Sequence, residues 1–214
     1  MYFELQSKEM DQEKYIQDIK EIREMMNRSG RFISLSGISG VVAGIIALIS
    51  AFIAYHYIYL DTDFYSFKVV YLSPETIRNI FLLALATLVL SIVAVIILTH
   101  QTSKKKGQKL LNKHAKLVLV NLAIPLFTGG MVCLILILNG YIGVIAPLTL
   151  IFYGLALVNA SKYTLDDIRS LGIAQIILGL IGLYFIGYGL ILWAIGFGIL
   201  HIVYGIIMRL KYGS

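Results

Sequence analysis

Residues 170–208 read SLGIAQIILGLIGLYFIGYGLILWAIGFGILHIVYGIIM, 39 consecutive positions without Asp, Glu, Lys or Arg. A helix needs about 20 apolar residues to cross a hydrocarbon core of about 30 Å. This tract is long enough to cross twice, with a turn at Gly187-Tyr188-Gly189. Four further charge-free tracts, 32–60, 79–99, 117–138 and 141–160, are near or above the length for one crossing. The expected fold is all-α, a polytopic transmembrane helical bundle. Its six spans fall at about 32–58, 77–99, 117–138, 141–160, 165–187 and 189–208. Residues 32–214 form this transmembrane domain, and 1–31 form a cytoplasmic amphipathic helical segment.

With 58% hydrophobic residues and a mean hydropathy of +0.83, the chain lies outside the range of soluble domains, which average about 45–50% apolar. Cys133 is the only cysteine and sits inside a span, so no intrachain disulfide is expected. The charged N-terminal segment does not resemble a cleavable signal, which leaves the first span to direct insertion. Segments 1–31, 100–116, 161–169 and 209–214 hold 16 of the 18 Lys and Arg residues. The loop 61–78 holds Lys68 and Arg78, and the two remaining turns hold none. Cytoplasmic loops carry the excess of Lys and Arg. Both termini are therefore expected in the cytoplasm.

In the N-terminal segment, Tyr15, Ile19, Ile22 and Met26 recur at helical spacing on one face. Seven acidic and six basic residues make this segment nearly neutral, unlike the Lys/Arg-rich helices that lie on lipid. Its apolar face is read as a partner-binding or self-association surface, against the alternative of a solvated extension. In the first span, Ser36, Gly40 and Gly44 form a small-residue stripe that lets another helix approach closely. Glycines also recur at sevenfold spacing in the last hairpin, among them Gly179, Gly182, Gly189, Gly196 and Gly205. Such an interval keeps them near one helix face. Packing within the bundle is the plain reading; a homodimer seam in the first span is the sharper one.

Ser73-Pro74-Glu75 has the cap, first-turn proline and acid of a helix start. Thr164-Leu165-Asp166-Asp167 fits a capping box, and Asn139-Gly140 a tight turn. Pro125 and Pro147 each remove an amide from a span and are expected to interrupt it. Between the second and third spans lie Lys104, Lys105, Lys106, Lys109, Lys113 and Lys116. Near anionic lipid headgroups each can contribute about 1 kcal/mol. Nucleic acid is not an expected partner, because no aromatics interleave these lysines.

The chemistry-bearing residues are few. Counted from the turn, Gln175 and His201 fall at nearly equal depth in neighbouring antiparallel helices. Either alone in hydrocarbon is costly, so an interhelical hydrogen bond between them is expected. A site for a weakly polar solute, lined by Asn121, Thr128, Tyr153, Gln175 and His201, is the alternative use of these groups. His56, Asp61 and Asp63 are the right residue types for a metal but read as solvated loop residues. No metal, cofactor or catalytic residue is expected. The chain has no HExxH helix, GxSxG elbow, P-loop or GxGxxG turn. An enzyme is not expected.

The run Glu21-Ile22-Arg23-Glu24-Met25-Met26-Asn27-Arg28-Ser29, leading into Phe32-Ile33-Ser34-Leu35-Ser36-Gly37, resembles a group of uncharacterised bacterial multi-span membrane proteins. The resemblance implies a bacterial inner-membrane address and brings no functional residues with it. The leading expectation is a non-enzymatic regulatory, scaffolding or accessory component with a protein partner. A small transporter or channel for a neutral or weakly polar solute, with its site among spans three to six, is the alternative.

Overall fold

The structure, a computed structural model, describes residues 37–59, 73–105 and 113–212, together with Tyr15 and Ile19. Helix α1 spans Gly37–Tyr59, α2 Pro74–Lys105 and α3 Lys113–Leu138. A 3₁₀ turn, Ile142–Val144, leads into α4 (Ile145–Ala160), and a second, Ser161–Tyr163, leads towards α5 (Asp166–Tyr184). A third 3₁₀ turn, Ile186–Tyr188, opens the last crossing. That crossing comprises α6 (Gly189–Trp193), a π-helical segment (Ala194–Leu200) and α7 (His201–Tyr212). Six helices, from 18 to 31 residues, are long and apolar enough to cross a membrane. Among the described residues there is no strand. The protein is an all-α, multi-pass membrane bundle.

Local chemistry explains where these helices begin and end. The amide of Thr76 donates to Ser73 Oγ at 3.1 Å, and Arg78 pairs with Glu75 at 3.3 Å. Helix α2 therefore starts at Pro74. Its 32 residues extend about 48 Å at 1.5 Å per residue, so its polar final turn passes well beyond a 30 Å core. After α3 the chain turns at Gly140, whose φ of 82° is open to glycine at little cost. The amide of Gly140 donates to the Ile137 carbonyl and that of Tyr141 to the Leu136 carbonyl. This paired pattern satisfies carbonyls at a helix end that lipid cannot solvate.

The two prolines have different consequences. Helix α4 begins at Ile145, so Pro147 lies in its first turn, where amides have no intrahelical partner in any case. Pro147 therefore interrupts nothing. Pro125 lies inside α3, which runs through it unbroken. The carbonyl that Pro125 leaves without an amide, that of Asn121, accepts a 3.1 Å hydrogen bond from Asn159 Nδ2 of α4. A neighbouring helix supplies the missing donor.

Laterally the helices follow the order α2, α1, sixth span, the α4–α5 pair, α3. Glycines set the closest approaches. A Cβ at Gly37 would lie 2.5 Å from the Gly205 carbonyl oxygen, and one at Gly205 would lie 2.5 Å from that of Gly37. One at Gly44 would lie 2.7 Å from the Gly198 oxygen. Gly40 lies on the same seam, while Ser36 is outside the described residues. The stripe predicted as a candidate homodimer seam is thus covered by the chain's own sixth span. A second seam joins Gly154 of α4 to Gly172 of α5, and Gly179 meets the Pro147 carbonyl. Gly182 and Gly189, on either side of the last turn, both rest on the Pro147 ring. Between α1 and α2, where no glycine seam forms, the Thr87 hydroxyl hydrogen-bonds Ser50 Oγ at 2.7 Å.

Replacing Gly44 with Val or Gly205 with Leu should destabilise the bundle by about 1–3 kcal/mol, the usual cost of overpacking. Gly130, with nothing within 4 Å of an added Cβ, should accept Ala with no loss of stability. Thermal unfolding in mild detergent measures both effects.

Candidate functional site

Spans four, five and six converge on a buried polar node. Gln175 of α5 is fully buried, and His201, the first residue of α7, is 7% exposed. Gln175 Nε2 donates to the Gly196 carbonyl at 2.8 Å. His201 Nδ1 lies 3.0 Å from the same oxygen. That carbonyl can only accept, so Nδ1 carries a proton, and Nε2 of a neutral ring is left as an acceptor. The Tyr153 hydroxyl of α4, 2.8 Å from Nε2, donates to it.

This geometry changes the expected pairing. Gln175 Nε2 and His201 Nδ1 are 3.5 Å apart. Both carry hydrogens directed at Gly196, so they do not bond each other. The two residues are joined through a shared acceptor instead. That acceptor lies in the π segment, where the regular α ladder is displaced. A Cβ at 196 would lie 2.5 Å from Gln175 Oε1 and would also strike Leu150, so these two buried side chains would have to shift to admit one. Phe197 stacks on the His201 ring at 5.8 Å between centroids. Tyr153 and Trp193 lie against Phe197 at 4.9 and 5.0 Å. Ring contacts thus fix the imidazole plane while hydrogen bonds fix its edges.

Within this node, Gln175 Oε1 is buried and has no hydrogen-bond partner. The node offers neutral donors and acceptors and no carboxylate. Among the described residues no group of three His, Cys, Asp or Glu could hold a metal ion. His56 is exposed, while Asp61 and Asp63 fall outside the described residues.

The other predicted residues are distributed elsewhere. Of the proposed solute lining, Tyr153, Gln175 and His201 come together. Asn121 is committed to the Leu117 carbonyl at 2.8 Å, and Thr128 lies on an exposed face of α3. Tyr15 and Ile19 are helical and exposed, whereas Ile22 and Met26 are outside the described residues. Lys104 and Lys116 are exposed, Lys105 and Lys113 end and begin their helices, and Lys106 and Lys109 are not among the described residues. At the same end of the bundle, Lys211 Nζ sits 3.0 Å from both carboxylate oxygens of Asp167. This ion pair ties the end of the sixth span to the start of the fifth. Sequence reasoning missed it, along with Asn159, Gly154 and the π turn; the closely spaced Gly196 and Gly198 are the only local hint of that turn.

Comparison of the chain with known protein families, characterised proteins and solved structures finds no match.

Interhelical hydrogen bonds in membranes contribute about 0.6–2 kcal/mol. Tyr153→Phe and Gln175→Leu should each lower stability by that amount. Their double variant should lose less than the sum, since both act on one network. Asn159→Leu, which strands the Asn121 carbonyl, should cost about 1–3 kcal/mol. Equilibrium unfolding in mixed micelles checks all four variants.

Proposed function

We propose that this protein is a non-enzymatic component of the bacterial inner membrane, acting as a regulatory, scaffolding or accessory subunit with both termini cytoplasmic. The carrying observation is that Tyr15 and Ile19, four residues apart on one helical face, are 66% and 63% exposed. An aromatic and an aliphatic side chain presented together from a charged segment suit capture of a partner helix. The polar side chains of the bundle support the reading. Tyr153, His201, Asn159 and Thr87 are spent on bonds between helices, which leaves few to line a path. The Lys/Arg distribution supports the orientation, and the resemblance to bacterial multi-span proteins supports the address. Lys104 and Lys116, with their neighbours, would meet anionic headgroups at the cytoplasmic face.

A second reading, a small carrier or channel for a weakly polar solute, rests on Gln175 Oε1. A buried acceptor lacking a donor can be completed by an O–H or N–H group of a bound molecule.

Affinity purification from native membranes in mild detergent separates the two. Ile19→Asp with Ile22→Asp should abolish recovery of a stoichiometric partner while membrane insertion is retained. Recovery of the same species by both forms overturns the partner reading. In proteoliposomes, solute flux lost in His201→Ala and Gln175→Ala would establish the transport reading in its place. A reporter that is active only in the cytoplasm, fused after Ser214, should be active.

A further inference from the structure

The sixth span is the joint between two groups of helices. Helices α1 and α2 pack on each other, α3 packs on α4 and α4 on α5, and the sixth span carries the packing between the groups. Both groups grip the same short stretch of it. On one side, Gly198 in the π segment accepts Leu48 of α1. On the other, Gly196 in the same segment lies against Leu150 of α4 and Gln175 of α5. The turn that both contact is the wide one.

A π turn accommodates one residue more than an α turn. Closing it to α would rotate everything beyond it by about 100°, the angle per residue of a helix with 3.6 residues per turn. We propose that the segment Ala194–Leu200 is a two-register joint. Gln175 Nε2 and His201 Nδ1, closing on the Gly196 carbonyl, latch the wide register. When the latch opens, the ladder re-forms as α and α7 turns against α6. The turn would carry Gly205 off the Gly37 backbone and so reset the α1–α2 pair against α3, α4 and α5. Tyr153 holds the far nitrogen of the latch histidine, so a change at α4 reaches the joint directly. The inference stands on packing and hydrogen bonds alone and is independent of the regulatory reading above.

Spin labels at Ile49→Cys of α1 and Ile206→Cys of α7 test it, with Cys133→Ser as background, in the full chain reconstituted in lipid nanodiscs. Both positions are exposed, 57% and 48%. The parent should show one principal distance. Gln175→Leu with His201→Phe should add or substitute a second distance, from rotation of α7. Deleting Ile199, an outward-facing residue of the π segment, removes the extra residue while leaving the flanking helices in phase. That deletion should keep the parent distance, and in its background the latch substitutions should have no effect. An unchanged distance in the latch variant overturns the proposal, as does a shift that is the same with and without the deletion. Should the double variant not fold, Gln175→Met and Tyr153→Phe are read by the same rule: a second distance supports the joint, and an unchanged distribution overturns it.

Discussion

The carbonyl of Gly196 lies in the interior of a membrane bundle, where no bulk water can satisfy it, within a turn too wide for the ordinary ladder. Two side chains bring donors to it: Gln175 from the fifth span and His201 from its own. Much of the structure follows from this arrangement. It draws α5 against the sixth span, orients the imidazole so that Tyr153 of α4 can donate to it, and leaves room for a Cβ at 196 only if Gln175 and Leu150 shift. Below Pro125, where the ladder does lose an amide, a side chain again reaches across, Asn159 of α4 donating to the Asn121 carbonyl. In both cases a defect in one helix becomes the reason a neighbour is held beside it.

Glycine seams provide the remaining cohesion. Between apolar helices in lipid there is no hydrophobic drive to associate, so close van der Waals approach and interhelical hydrogen bonds must serve instead. Gly37 with Gly205, and Gly154 with Gly172, bring backbones together reciprocally. Helix α2 has no such glycine seam and packs on α1 alone to any extent. Its sides away from α1 carry Phe81, Leu85, Leu88, Ile92 and Ile96, all exposed, as expected of a helix at the edge of the array. The bundle is therefore loosest at α2.

The node and the seams use the same residues for different ends. Gly196 admits a side chain, while Gly198, two positions on, admits α1 through Leu48. A glycine pair so spaced faces opposite sides of a helix, which is what a crossing wedged between two groups of helices needs. Polar side chains in the spans are few; Thr87, Tyr153, Asn159 and Gln175 use theirs between spans, while Asn121 and Thr149 bond carbonyls of their own helices. Gln175 Oε1 is the acceptor in the node that this accounting leaves over.

Helix class and span number were legible in the sequence because they depend on runs of charge-free residues and on bilayer thickness, both local properties. The start at Ser73-Pro74-Glu75 and the turn at Asn139-Gly140 were legible for the same reason: capping and left-handed φ are decided within a few residues. The depth match of Gln175 and His201 could be counted from the turn. Their actual connection could not, because it depends on helix rotation and on a π turn that carries almost no sequence signal. Pro147 looked like a break until the start of α4 placed it in a first turn. The stripe through Gly40 and Gly44 marked a close contact without naming its partner. Lateral order, the shared carbonyl and the Asp167–Lys211 tie were decided only by the tertiary structure, since each depends on which helix stands beside which. Lipid imposes the same length and apolarity on every span and leaves that choice to packing.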